Sequence, residues 1–341
     1  MLDKITLSAG EENIGQILGY TVDADIYNAA AAWRFDLDPT CILRAQRGDK
    51  VEMHVNQVRV LTGVLDKVTR GYTKSGRSLV IEGRDLLGVA VDSCCPKAHW
   101  KTLKNKKLSD VADSMLRDLP YLKNSRVMYG PAAFKAKTAE ALIQVEPGQT
   151  YFDVLRNMAH SRGLVFFCLA DGMVVIDRPK MGYAPAYRIV VKEDQNASDV
   201  LEASVIEDCS KQYSSVVVVG QRQDTGFSSA SQVNVAATAT DSTAPLQKTL
   251  VVVFNGDADS PAALARKIVE LQQAGSRQLQ YTVSGHTQNG KPWQINEQVY
   301  VWDEKLQVLG ENLLIIGRSF ELSRSRGAVT RLRLGPPGVA Q

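Results

Sequence analysis

The chain is 341 residues long, with 40 Lys plus Arg against 37 Asp plus Glu, a formal charge of +3, and 44% hydrophobic against 23% charged residues. That apolar content excludes general disorder, no stretch nears the roughly 18 uninterrupted apolar residues of a membrane-spanning helix, and so small a charge excludes the dominant field of a dedicated nucleic-acid binder. At roughly 100 to 200 residues per domain the length predicts two or three domains, each able to bury a core without covalent staples. The cysteines (Cys41, Cys94, Cys95, Cys168 and Cys209) are odd in number, and residues 1–10 lack the basic and apolar regions of a secretory signal. The expectation is a soluble protein made in a reducing cytoplasm without disulfides.

Residues 33–85 read as short strands of period two. Trp33, Phe35 and Leu37 alternate with Arg34 and Asp36, and Val51, Met53 and Val55 with Glu52 and His54. Residues 58–68 and 79–81 continue the series across a turn at 71–77, which predicts a small antiparallel barrel or sandwich. The period then changes. Leu108, Val111, Ala112, Met115, Leu116 and Leu119 repeat at helical spacing behind Ser109, a candidate N-cap, and Pro120 stops the run. A second helix is predicted over 151–162, with Thr150 and Asp153 as a capping box and Gly163 as its stop. Residues 164–169 and 173–176 read as two strands joined across Asp171-Gly172.

Strand-like sequence resumes at 187–191 and 214–220. Residues 225–247 follow, 13 of whose 23 residues are Ser, Thr or Ala, and predict a mobile loop. A helix is expected over 261–274, with Ser260 as N-cap, Pro261 in its first turn and Gly275 after its end. Residues 279–334 are β again. Residues 46–68 and 294–322 share a plan: a polar lead-in, an alternating strand, a short excursion, and a longer strand containing Gly63 or Gly317. Each region then closes with a last strand, at 79–83 and at 330–335. A duplicated barrel is expected.

The predicted fold class is therefore mainly β with α+β insertions: two related antiparallel β-barrel domains, a small α+β domain and a helix-containing insertion. The first barrel is placed at 1–95 and the α+β domain at 96–183. The second barrel is placed at 184–224 and 279–341, and the insertion with its mobile loop and helix at 225–278.

Chemical motifs are sparse. Residues 71–78 (GYTKSGRS) come close to a phosphate-cradling loop, but Arg77 stands where lysine is required and 79–81 continue as a strand, not a helix, so a hairpin turn is expected. Cys94, Cys95 and His99 are three soft ligands with no fourth nearby. His54, His160 and His286 have no i, i+4 partner, and neither H-E-x-x-H nor G-x-S-x-G occurs. A carboxylate pair for glycoside hydrolysis depends on spatial separation, and nothing singles one out. Lys97, Lys101, Lys104, Lys106 and Lys107 crowd around Trp100; a solvated approach to the following helix is favoured over an anionic partner. Arg318, Arg324, Arg326, Arg331 and Arg333 cluster near the end, read either as charges protecting edge strands or as an intersubunit or acidic-partner contact. No catalytic, cofactor-binding or metal residue is named, and no cofactor is expected.

The ordered motifs resemble a known family. They are Trp33-x-Phe35-x-Leu37, Arg47-Gly48-Asp49-x-Val51, the run Leu61 to Asp66 with Val68, and Gly83-Arg84-Asp85 with Val91-Asp92. The middle adds Pro147-Gly148-Gln149-Thr150, Arg162-Gly163-Leu164 and Ala170-Asp171-Gly172. Later come Leu201-Glu202-Ala203-Ser204, Val219-Gly220-Gln221, Tyr281-Thr282-Val283-x-Gly285 and Leu334-Gly335-Pro336-Pro337. In order and spacing the chain resembles the baseplate hub proteins of contractile-tailed bacteriophages, those like phage Mu, within the late control protein D and VgrG-like hub superfamily. The resemblance implies a structural homotrimer in the virion tail baseplate. It would adapt a hexameric tail tube to a trimeric central spike, touch other baseplate proteins, let DNA pass without specific binding, and insert stably in no membrane. The physical logic is that three copies of a doubled barrel present pseudo-sixfold symmetry on one side and threefold symmetry on the other. Residues 147–176 also resemble a LysM module, so a peptidoglycan-binding tail-associated protein is the alternative. A wall-degrading enzyme and an oligonucleotide-binding barrel are weaker readings, the first for want of a nameable acid and nucleophile, the second for want of an aromatic-basic strand face.

Overall fold

Alternating apolar residues and closely spaced turns build the first 85 residues into seven strands of an antiparallel ladder. They are β1 (Ile5–Ala9), β2 (Glu12–Ile14), β3 (Ile17–Asp25), β4 (Ala32–Leu37), β5 (Lys50–Val55), β6 (Val58–Thr73) and β7 (Gly76–Asp85). The structure is a computed structural model. It describes residues 3–28, 30–74, 76–100, 102–103, 106–131, 133, 143–160, 163–194, 199–221, 233–254 and 261–339. The ladder runs β3-β4-β7-β6-β5-β1-β2. Its inward residues, among them Phe35, Met53, Leu65 and Ile81, are fully buried. The alternation legible in the sequence starts at Trp33 and does not reveal β1 to β3. Glycines at 10, 15 and 19 and a bulge at Leu18 break their alternation.

The middle of the chain holds α1 (Leu87–Asp92), β8 (Thr102–Leu103), α2 (Leu108–Leu116), β9 (Val127–Tyr129), β10 (Ile143–Gln144), α3 (Tyr151–His160), β11 (Val165–Cys168) and β12 (Val174–Asp177). The apolar stripes read from the sequence are the buried faces of α2 and α3 and form a second core with Phe166 and Ile176. The capping box exists: Thr150 Oγ1 accepts from the Asp153 amide at 3.1 Å, and Asp153 Oδ2 accepts from the Thr150 hydroxyl at 2.8 Å and its amide at 3.4 Å. Ser109 is not a cap. Lys107 holds that position with no side-chain bond, and Ser109 is buried in the first turn. Gly172, at φ +86°, makes the β11–β12 turn as expected. The structure adds a parallel pairing of β9 with β12.

The remaining strands are β13 (Tyr187–Val191), β14 (Val200–Glu207), β15 (Ser215–Gln221), β16 (Val233–Thr240) and β17 (Thr249–Val253). After α4 (Pro261–Ser276) come β18 (Arg277–Ser284), β19 (Thr287–Gln288), β20 (Lys291–Pro292), β21 (Gln298–Asp303), β22 (Val308–Ser323) and β23 (Gly327–Gly335). Two expectations are corrected here. Of the stretch read as a mobile loop, 225–232 lies outside the described residues, and 233–240 is strand β16. Residues 215–221, expected in the second barrel, pair instead with β16 and β17 in a separate three-stranded sheet. The last helix also runs past Gly275, because Ser276 leads directly into β18 and its carbonyl accepts from the Asp208 amide. Ser260 lies outside the described residues.

The second unit's ladder is β14-β18-β23-β22-β21-β13, and it repeats six of the first unit's seven strands, β2 having no counterpart; β1, β3, β4, β5, β6 and β7 are counted below as first to sixth, against β13, β14, β18, β21, β22 and β23. In both, the second strand pairs the third, the third the sixth, the sixth the fifth, the fifth the fourth, and the fourth the first. The first strand alone differs in direction: β1 is antiparallel to β5, whereas β13 is parallel to β21. Bulges recur position for position. Leu18 and Leu201 are skipped opposite the third strand, Val60 and Gly310 opposite the fourth, and Asp66 and Ile316 opposite the sixth. The lead-in repeats too: Gly48 and Asp49 exchange backbone bonds with Leu65 as Asn296 and Glu297 do with Ile315. Gly48 and Asn296 both have positive φ, +94° and +59°, at this corner. Bulges are placed by specific packing needs, so three coinciding bulges are a stronger mark of kinship than the shared strand order.

The register corrects one sequence alignment. Gly63 corresponds to Leu313, and Gly317 to Lys67, so the two glycines matched from the sequence are not equivalents. The mainly-β class with α+β insertions holds, as one continuous sheet of 13 strands. Among the described residues the ladders do not close on themselves, and one apolar cluster runs through both units.

Candidate assembly interface

The two units join where β3 of the first pairs antiparallel with the outer half of β22 of the second, from Gly317 opposite Asp25 to Leu322 opposite Tyr20. Buried polar groups lock this seam. His286 is fully buried, with Nε2 2.6 Å from the Tyr20 hydroxyl and Nδ1 3.0 Å from Thr330 Oγ1. The Thr330 hydroxyl donates to the Gly285 carbonyl at 2.6 Å, so Thr330 accepts from Nδ1–H and Nε2 accepts from Tyr20. Burial pushes the imidazole pKa down to about 4, so the ring is neutral near pH 7, consistent with Nε2 accepting from Tyr20. Asp3 ties the first unit's start to the same turn, accepting from the His286 amide at 2.7 Å and the Thr287 hydroxyl at 3.0 Å. None of this is legible in the sequence, where His286 has no i, i+4 partner; Asn289 and Gly290, both at positive φ, make the turn between β19 and β20.

Two members of the arginine cluster, Arg318 and Arg333, serve the same seam. Arg318 is buried, donates to the carbonyls of Trp293 at 3.1 Å and Val60 at 3.4 Å, and lies 3.9 Å over the Phe320 ring. Burial pushes its guanidinium pKa down to about 10, so it stays charged at neutral pH. Arg333 pairs with Asp25 across the units, Arg331 with Glu321 at 3.0 Å, and Arg326 with Glu202 at 3.4 Å. The reading of these arginines as guards of edge strands is corrected for Arg318, Arg331 and Arg333: β22 and β23 are interior strands.

The other sequence candidates are not brought together. His99 Nε2 lies 2.6 Å from Asp118 Oδ2, Cys95 is buried, and Cys94 points outward with its backbone bridged to Thr150. Among the described residues no group of three or more His, Cys, Asp or Glu could hold a metal ion. Residues 71–78 form the β6–β7 hairpin, with Ser75 outside the described residues. Of the lysine cluster, Lys101 and Lys104 lie outside the described residues, and Lys97, Lys106 and Lys107 lead to α2. A cavity of about 240 Å³ lies between the first unit, the β11–β12 turn and Arg318. Asp85 on its wall accepts the amides of Ala31 and Leu87, and burial raises its pKa to about 7. Among the described residues no helix is long and apolar enough to cross a membrane.

What the described surface does offer is backbone. Among the described residues, 201–207 of β14 at the end of the sheet and 66–72 of β6, beyond its pairing with β5, have no ladder partner on their outer sides. Leu201 (55% exposed), Ile206 (50%) and Tyr72 (88%) lie on these edges. Open edges of this kind are templates for another chain.

Residues 4–85 match the family model described as Mu phage baseplate assembly protein GpP-like, N-terminal. The fold is shared along the full length. A tail protein from Neisseria meningitidis MC58 is 24% identical, with 100% of this chain and 98% of that one covered at a TM-score of 0.83. The 43 kDa tail protein of prophage MuSo2 from Shewanella oneidensis is 20% identical, with 98% and 99% covered at 0.82. An Escherichia coli protein described as a component of the type VI secretion system, structurally similar to T4 tail proteins gp27 and gp5, is 11% identical, with 97% and 76% covered at 0.60. No curated protein matches the sequence. Residues 4–85 are thus similar to a Mu-type baseplate-assembly domain, and the chain has the fold seen in bacteriophage tail proteins.

Proposed function

We propose that the protein is a structural baseplate hub of a contractile phage tail, a homotrimer that adapts a hexameric tail tube to a trimeric central spike. The observation that carries this reading is the repeated six-stranded unit with its matched bulges, which gives three copies six near-equivalent domains. The Mu-type domain at 4–85 supports the baseplate assignment. The work is done by surfaces: the ionisable groups at the seam are held for packing, and the protein is proposed not to be an enzyme. Its partners would be its own copies, the spike, the tube and other baseplate proteins, with DNA passing through unbound. It would be synthesised in the bacterial host cytoplasm before incorporation into the tail.

The LysM-like alternative finds no support. Tyr151, Phe152, Phe166 and Phe167 in that stretch are at most 4% exposed, and Phe152 stacks on Phe166 inside the core, so none of these rings offers a face to a sugar. The test is solution mass by sedimentation or light scattering at micromolar concentration. Three times the 37.4 kDa chain mass is expected, and a monomer would refute the hub reading.

A further inference from the structure

We infer that the cavity of about 240 Å³ where the first unit, the second unit and the β11–β12 turn meet is a binding site for a small monocarboxylic acid, its carboxylate paired with Arg318 and its apolar body held between the units. Such a site holds whether or not the chain is a hub. Arg318, on the cavity wall, is a buried charge without a bonded counter-charge. It is 5% exposed, and its hydrogen bonds run to two neutral acceptors, the carbonyls of Trp293 and Val60. The second, at 3.4 Å, is longer than the ordinary span of about 2.7 to 3.2 Å. Its Nε has no partner, and among the described residues no carboxylate pairs with it. Buried cations are ordinarily paired, because a lone charge out of water is costly.

The carbonyl bonds of Arg318 join the units, but the repeat shows that the position does not call for a cation. By the register that matches Gly317 with Lys67, Arg318 stands where the first unit has Val68, which packs on the apolar core. The other charged groups on the wall have partners or water. Arg59 pairs with Glu52 at 3.0 Å, Asp171 faces Arg126 at 4.0 Å, and Asp85 accepts the amides of Ala31 and Leu87. Asp23 is exposed and acts on Arg318 through its field without bonding it. Val60, Leu61, Leu169 and Ile295 make much of the remaining wall apolar. These features set the class of ligand. The volume equals that of about eight waters, at roughly 30 Å³ each, which is room for an acid of roughly ten non-hydrogen atoms. Asp23, Asp85 and Asp171 on the same wall repel a multiply charged anion, so a single carboxylate on an apolar body fits where phosphate or a tricarboxylate does not. Because the wall is drawn from three parts of the chain, an occupant bridges them and stabilises the folded state by mass action.

Benzoate and hexanoate, one rigid and one flexible monocarboxylate of that size, are the probes. Titrated into the full chain near pH 7 and followed by calorimetry, at least one of them should bind saturably at one site per chain. At about a hundredfold excess over its Kd it should raise the midpoint of thermal unfolding by about 3 °C. Inorganic phosphate and citrate at the same concentration should do neither. Arg318→Met places an apolar side chain where the repeat has valine, so its ligand-free midpoint should stay within about 3 °C of the parent's while its affinity for the carboxylate falls at least about tenfold. Ala170→Leu keeps Arg318 and narrows the cavity, and should lose binding to a similar degree; if Arg318→Met does not fold, this variant decides alone. Failure of both carboxylates to bind the parent, or unchanged binding in the variants, overturns the site. Phosphate bound as tightly as the carboxylates overturns the class of ligand.

Discussion

Gly83 and Trp33 offer a sharp test of the packing that distinguishes the two units. In the matched register, Trp33, Gly63 and Gly83 of the first unit stand where Leu279, Leu313 and Leu334 stand in the second. One large ring and two bare backbones fill the space that three leucines fill elsewhere. Trp33 is 2% exposed and its Nε1 donates to the Arg84 carbonyl at 3.1 Å. A Cβ built on Gly83 would approach the Val64 carbonyl oxygen and the Trp33 ring closer than 3.0 Å, and one on Gly63 would do the same to the Arg84 carbonyl and Trp33 Nε1. Because a backbone carbonyl in a ladder cannot swing away, Gly83→Ala should cost about 3 kcal/mol, at the upper end for overpacking. Trp33→Leu alone should cost about 2 to 3 kcal/mol through the cavity and the lost bond. The double variant should cost less than the sum by at least about 1 kcal/mol, since removing the ring relieves part of the clash. Guanidinium unfolding at fixed protein concentration, read from the midpoint at constant slope, measures all three. Gly83→Ala within about 0.5 kcal/mol of the parent, or strictly additive costs, would refute the reasoning.

Other consequences are simpler to state. His286, neutral and buried with a folded pKa near 4 against about 6.5 when unfolded, binds its proton more readily in the unfolded chain. Its contribution is complete above pH 6.5 and is lost as pH falls toward 4, by about 3 kcal/mol; stability measured against pH should therefore fall less steeply in His286→Gln, and an identical slope would contradict the seam described here. Thr150→Ala removes the acceptor and donor of the α3 capping box and should cost about 1 kcal/mol by chemical unfolding, with Thr150→Ser largely retaining it. Tyr20→Phe leaves Nε2 of His286 without its donor and should cost about 1 to 3 kcal/mol, read in the same assay.

Local chemistry was legible in the sequence where it is self-contained. The Thr150–Asp153 box, the Asp171-Gly172 turn and the helical stripes of α2 and α3 depend on neighbours a few residues away, and they are where the spacing predicts them. Register was less accessible. Aligning Gly63 with Gly317 follows residue identity, but what is kept between the units is the bulge, whose side chain can be Asp66 in one and Ile316 in the other. β14 was not predicted as a strand because its alternation is not set by a core of its own chain; only Val200 and Val205 are even half-buried. The seam was invisible for another reason: Asp3, Tyr20, His286 and Thr330 are separated by up to 327 positions and meet only once β3 lies against β22.

The proposed hub role depends on assembly, so the shape of the purified particle decides the account. Class averages of the purified protein by electron microscopy should show a closed ring of six similar lobes with threefold symmetry, each chain contributing two. Isolated two-lobed particles, or rings with any other symmetry, would contradict it.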